Sequence, residues 1–129
     1  MLSSQSLAKE IYKRINDYIP DTLFETWKKD GINDFFRFCK YEKNGIFQIH
    51  QDASYKPSFT YQSFFTCMLY LNQTNGGNTR FFSDDGKIIA ELPPQPGQIL
   101  LFDPNIHHDG DKVISGEKYI VRTEVMYQK

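Results

Sequence analysis

A chain of 129 residues has the size of one domain, with room for one core and not for two. Hydrophobic residues at 40% and charged residues at 24% exclude a disordered or fibrous chain. A formal net charge of −1 gives no general drive toward nucleic acid or an anionic membrane.

Aromatic residues reach 16%, and Phe and Tyr favour strands, so the composition leans toward a β-rich fold. The opening stretch "MLSSQSLAKEIYKRI" carries charges where a secretory leader needs an apolar core. No apolar run approaches membrane-spanning length, so a soluble cytoplasmic protein is expected. The two cysteines, Cys39 and Cys67, have no zinc-like spacing and are too few for a disulfide scaffold. They read as reduced thiols.

Residues 4–19 predict an amphipathic helix. Leu7, Ile11 and Ile15 recur every fourth residue, Ser4 or Ser6 can cap the start, and Pro20 stops it. "DTLFETWKKDG" predicts a second, short helix, with Asp21 as its N-cap, Lys28 and Lys29 near its C-terminus and Gly31 ending it. Beyond Gly31 come "FFRFCKY", "GIFQIHQD", "SFFTCMLYLN", "TRFFSDD", "KIIAEL", "GQILLFD" and "EKYIVRTEVMY", separated by turn signals such as "KNG", "NGGN", "DDG" and "PPQPG". Short strands at this spacing predict an antiparallel sandwich or barrel. The expected organisation is a single domain, 1–129, mainly β with N-terminal helices. The helical part covers about 1–31 and the β core about 32–129.

Within "FQIHQD", His50 and Asp52 stand two residues apart. On a strand those positions share a face. An imidazole and a carboxylate projecting together, joined by one further imidazole, make three ligands on one side of an ion. That facial set suits non-haem Fe(II) and leaves its other positions open. The other two histidines are the adjacent His107 and His108.

In order, "YEKNGIFQIHQD", "FTCMLYLNQTNGGNTRFF", "LPPQPGQILLFDPNIHHDG" and "ISGEKYIVRTEVMY" resemble the core of the Fe(II)/2-oxoglutarate dioxygenases of the prolyl 4-hydroxylase type, from about Phe36 to Tyr127. The resemblance implies a double-stranded β-helix, or jelly-roll, core. It implies His50, Asp52 and His108 as the iron ligands, because "HDG" matches the family's pattern from His108. Alternation along an extended segment then points His107 away. The resemblance further implies 2-oxoglutarate as co-substrate and O2 as oxidant, with ascorbate supporting turnover. The far carboxylate of 2-oxoglutarate needs a buried cation. Lys118 stands ten positions after His108, the family's spacing. Arg122, four residues on, faces the same side and is the alternative. Tyr70 matches a tyrosine that contacts that carboxylate, although an ordinary core tyrosine explains it equally. Tyr41 matches one lining the co-substrate pocket. Arg80 matches a common family arginine, and a structural ion pair explains it as well.

The activity implied is hydroxylation of an unactivated C–H bond, coupled to conversion of 2-oxoglutarate to succinate and CO2. Asp52 argues for hydroxylation, since family halogenases carry a small residue there. The substrate class implied is a peptide or protein, in the manner of a prolyl hydroxylase. Alternatives are the same chemistry on a small molecule or free amino acid, a non-catalytic jelly-roll binding module, and a zinc hydrolase. The complete triad speaks against a module. The hydrolase lacks an evident general base and leaves Lys118 and Tyr70 unexplained.

Overall fold

The helix at the N-terminus forms where the apolar period calls for it. In the computed structural model, which describes residues 1–129, β1 (Leu2–Ser3) precedes α1 (Gln5–Ile15). Ser4 is the N-cap, its hydroxyl accepting from the Leu7 amide at 3.2 Å. Ala8, Ile11 and Ile15 make the buried stripe. A 3₁₀ turn, Asn16–Tyr18, carries the chain to Pro20.

The second expected helix is absent, and the N-terminal part contains one α-helix. Residues 21–32 instead form a hairpin of β2 (Thr22–Leu23) and β3 (Trp27–Ile32). Phe24 and Glu25 turn the chain with φ of 51° and 67°. Along "WKKDGI" exposure alternates with a period of two, which is a strand pattern. An isolated helix of this length is marginal in water. Pairing of β3 with the long C-terminal strand outweighs its capping signals.

The strands that follow are β4 (Phe35–Tyr41), β5 (Phe47–His50), β6 (Tyr61–Tyr70), β7 (Asn75–Gly76), β8 (Thr79–Phe82), β9 (Ile88–Leu92) and β10 (Ile99–Phe102). They are completed by β11 (His107–Gly110), β12 (Val113–Ser115) and β13 (Lys118–Gln128). A seven-stranded sheet is organised on β13. One edge of β13 pairs with β6, which continues to β10. The other edge pairs first with β4 and then with β3. Four strands, β5-β11-β8-β9, make the second sheet, and β12 with β7 forms a small ladder beside it. This is a jelly-roll sandwich.

Each sheet face has its own burial partner. α1 covers the outer face of the large sheet, burying Ile11, Ile15, Ile32, Phe36, Val121 and Val125 in one cluster. Between the sheets Met68, Tyr70, Phe81, Leu100, Phe102 and Ile120 form a second cluster. The inter-sheet cluster is smaller, and at one end polar groups line a cavity instead. No helix is long and apolar enough to cross a membrane.

Candidate metal and co-substrate site

His50 and His108 are directly opposed residues of β5 and β11. Opposed residues of an antiparallel pair project to the same face. Their rings lie 4.3 Å apart between centroids, with Phe47 stacked on His50 at 4.0 Å and Phe102 edge-on to His108 at 4.8 Å. Asp52 lies just beyond the end of β5, so it does not share a strand with His50. Its amide donates to the Pro104 carbonyl at 2.8 Å, which ties it to the loop before β11. Its carboxylate Oδ2 accepts from the Thr66 hydroxyl at 2.8 Å. Asp52 Oδ1 is thereby turned toward the two rings, 3.3 Å from each Nε2.

The tautomers follow from the partners of the other ring nitrogens. His50 Nδ1 lies 2.7 Å from the Gln48 carbonyl and His108 Nδ1 lies 2.8 Å from the Ile106 carbonyl. A carbonyl only accepts, so each Nδ1 carries the proton and each Nε2 presents a lone pair. Two lone pairs and a carboxylate oxygen thus converge, all within 4.8 Å of one another. His50 Nε2 is buried without a hydrogen-bond donor. Such a cluster of donor atoms is repulsive unless a cation enters it. In its place a proton is favoured: burial pushes His108 down, but the adjacent Asp52 carboxylate and the Ile106 carbonyl outweigh it and raise the pKa. Burial likewise pushes Asp52 up, yet His108, Thr66 and Arg122 hold its carboxyl at about 2. Two neutral imidazoles and a carboxylate, each oriented from outside, form a donor set that fits a divalent first-row metal such as Fe(II).

A narrow cavity of about 30 Å³ opens beside this cluster, lined among others by Tyr41, Phe47, Thr79, Lys118 and Arg122. Lys118 is 3% exposed. Its Nζ lies 5.2 Å from the centre of the Tyr41 ring and 5.7 Å from that of Tyr70. Burial pulls the Lys118 ammonium down to about 8, with Asp109 and Asp111 only partly restoring it. Gly110 leaves room for the ammonium, since a Cβ there would lie 3.4 Å from Nζ and 3.3 Å from Phe47 Cβ. Tyr70 is fully buried and its hydroxyl is hydrogen-bonded to that of Thr79. Tyr41 pairs across the sheet with Lys118.

The structure therefore brings His50, Asp52 and His108 to one point and places Lys118, Arg122 and Tyr41 along the adjoining cavity, with Tyr70 outside its lining and bonded to the lining residue Thr79. His107, opposite Phe82, lies on the other face of β11. Arg80 is held by Asp109, at 2.9 and 2.5 Å, and is not among the residues lining the cavity. Cys39 and Cys67 are free thiols, and burial pushes Cys67 up to about 12. Two site residues had no functional signal in the sequence, Thr66 and Thr79. The alternation of "FTCMLY" does put Thr66 on the face of Tyr70.

Residues 36–123 match the family model described as the 2OG-Fe(II) oxygenase superfamily. No curated protein matches the chain. Among solved structures, the viral collagen prolyl hydroxylase of Paramecium Bursaria Chlorella virus-1, in its 2OG complex, superposes with a TM-score of 0.67 at 19% identity. The match covers 100% of this chain and 76% of that one. A prolyl hydroxylase from Trichoplax adhaerens, in complex with a hypoxia inducible factor oxygen degradation domain peptide fragment, gives 0.66 at 15% identity, covering 91% and 53%. A Pseudomonas putida prolyl-4-hydroxylase gives 0.58 at 19% identity, covering 75% and 53%. The matched region spans about half the length of the last two chains. At these identities the likeness is one of fold.

Proposed function

The chain belongs to the 2OG-Fe(II) oxygenase superfamily, and from that premise we propose that it is an Fe(II)- and 2-oxoglutarate-dependent hydroxylase of unactivated C–H bonds. The observation that carries this is the convergence of His50 Nε2, Asp52 Oδ1 and His108 Nε2, three atoms that offer lone pairs to one point when the imidazoles are neutral. These three residues would hold Fe(II) on one face. The bound ion and co-substrate would supply oxygen activation coupled to oxidative decarboxylation.

The chain's own groups account for the rest. Thr66 holds one oxygen of Asp52, so that the other faces the metal position. Lys118 offers a buried cation for the far carboxylate of 2-oxoglutarate, with the Tyr70 ring 5.7 Å from its Nζ and Thr79 in the same cavity lining. Tyr41 walls that end. Phe47 and Phe102 pack on the imidazoles, which limits water at the reacting position.

Peptidyl proline is the substrate class we propose, supported by the fold likeness to the viral and Trichoplax prolyl hydroxylases. The test is succinate formation from 2-oxoglutarate in the presence of Fe(II), O2 and ascorbate, with proline-rich peptides offered in parallel with free amino acids. Succinate release together with gain of one oxygen atom on a peptide is expected. Absence of succinate under every condition would return the chain to a binding module or a hydrolase.

A further inference from the structure

Two cations, not one, line the cavity beside the metal cluster. Lys118 and Arg122 are four residues apart on β13, about 13 Å between Cα atoms at the usual strand rise. Both project between the sheets on long stems. The acids around them are committed elsewhere: Asp109 to Arg80, Glu124 to Arg37, and Asp52 to the imidazoles and Thr66. Neither cation forms an ion pair. Arg122 Nε is buried with no hydrogen-bond partner, although an arginine buried among protein groups ordinarily finds acceptors for its fork. One far carboxylate accounts for one of these charges and leaves the other without a purpose.

Their surroundings differ. Lys118 sits between the rings of Tyr41 and Tyr70, and the charges it feels are those of Asp109 and Asp111. Arg122 lies over the Phe47 ring at 5.7 Å, the ring stacked on His50, and its charge reaches Asp52 and His108 as well as Tyr41. Of the two cations, only Arg122 reaches the candidate metal ligands.

We infer that Lys118 and Arg122 hold opposite ends of a dianionic co-substrate, Lys118 the far carboxylate and Arg122 the carboxylate next to the keto group. The inference rests on the oxygenase reading and extends it by giving Arg122 a separate ligand group. A guanidinium suits that end, because its planar fork fixes the orientation of a carboxylate as well as its position.

The test pairs truncated ligands with truncated side chains. Binding is measured by calorimetry on the Fe(II)-loaded protein without oxygen, directly or by competition. The ligands are 2-oxoglutarate, 2-oxopentanoate (no far carboxylate) and 4-oxopentanoate (no carboxylate at the keto end). Arg122→Gln should weaken 2-oxoglutarate and 2-oxopentanoate by at least about tenfold and 4-oxopentanoate by less than about twofold. Lys118→Gln should give the converse, weakening 4-oxopentanoate and sparing 2-oxopentanoate. The spared ligand reports that each variant is folded. Should Arg122→Gln not fold, Arg122→Lys is read the same way. Selective loss of 2-oxopentanoate supports the assignment, while uniform loss, or none, overturns it. Failure of the wild-type protein to bind any of the three would instead strike the oxygenase reading itself.

Discussion

The Thr66 hydroxyl donates to Asp52 Oδ2 at 2.8 Å, and this single bond decides which carboxylate oxygen faces the imidazoles. Thr66 is 4% exposed, so no water replaces it readily. It acts on the metal position only through Asp52. Thr66→Val should lower metal affinity by about tenfold or more, and Thr66→Ser should restore most of it. Equilibrium dialysis against Fe(II) or Co(II) measures both. Equal affinity in the valine variant would show that the Asp52 carboxylate needs no such support.

Lys118 yields a pH dependence with a defined sign. Burial lowers its pKa from an ordinary 10.5 to about 8. A carboxylate ligand favours the charged form, so co-substrate affinity is fully present below about 8 and is lost as pH rises through it. The apparent KM for 2-oxoglutarate should rise by up to about tenfold per pH unit above that point. Lys118→Arg should flatten the profile. Without ligand the dependence of stability runs the other way. Between about 8 and 10.5 the unfolded lysine keeps a proton that the folded one has lost, so stability rises with pH across that window. Denaturation with Lys118→Met should lack that slope, and an unchanged slope would place the titration elsewhere.

Gly110 tests the packing around the same lysine. A Cβ there would lie 3.3 Å from Phe47 Cβ, so Phe47 must give by a few tenths of an ångström, and would come into direct contact with Lys118 Nζ at 3.4 Å. Gly110→Ala should raise the KM for 2-oxoglutarate several-fold while leaving Fe(II) stoichiometry unchanged. A loss of iron without any change in KM would show that the strain passes to His108 instead.

The buried interface under α1 is expected to hold much of the stability. Phe36 is fully buried in the cluster shared with Ile11 and Ile15. Phe36→Ala should cost about 3–5 kcal/mol in urea denaturation. A cost below about 1 kcal/mol would mean that α1 docks loosely.

Much of the fold was legible because its strands alternate and its turns carry Gly, Pro, Asn and Asp. Six strands were not, four of them only two or three residues long. "WKKDGI" is too polar to read as a strand, and pairing with β2 and β13 makes it one. "HHDG" has no β-branched residue, yet it lies between β5 and β8 and pairs with both. At the site, the spacing of His50 and Asp52 signals their proximity, but the reason differs. Asp52 is off the strand and is turned inward by Pro104 and Thr66. Those partners lie far along the chain, and side-chain hydrogen bonds between distant strands leave no local pattern. The resemblance favoured Lys118 over Arg122, but the residues alone left both open for a similar reason: they share one face of β13, and the rings that distinguish their surroundings lie on other strands.

The central claim is that His50, Asp52 and His108 hold one Fe(II). Anaerobic equilibrium dialysis followed by metal analysis tests it directly, on the wild-type chain and on His50→Ala, Asp52→Ala, His108→Ala and His107→Ala. Wild type and His107→Ala should retain one iron per chain, and the other three variants should lose it. Retention of iron by Asp52→Ala, or its loss from His107→Ala but not from His108→Ala, would contradict the assignment.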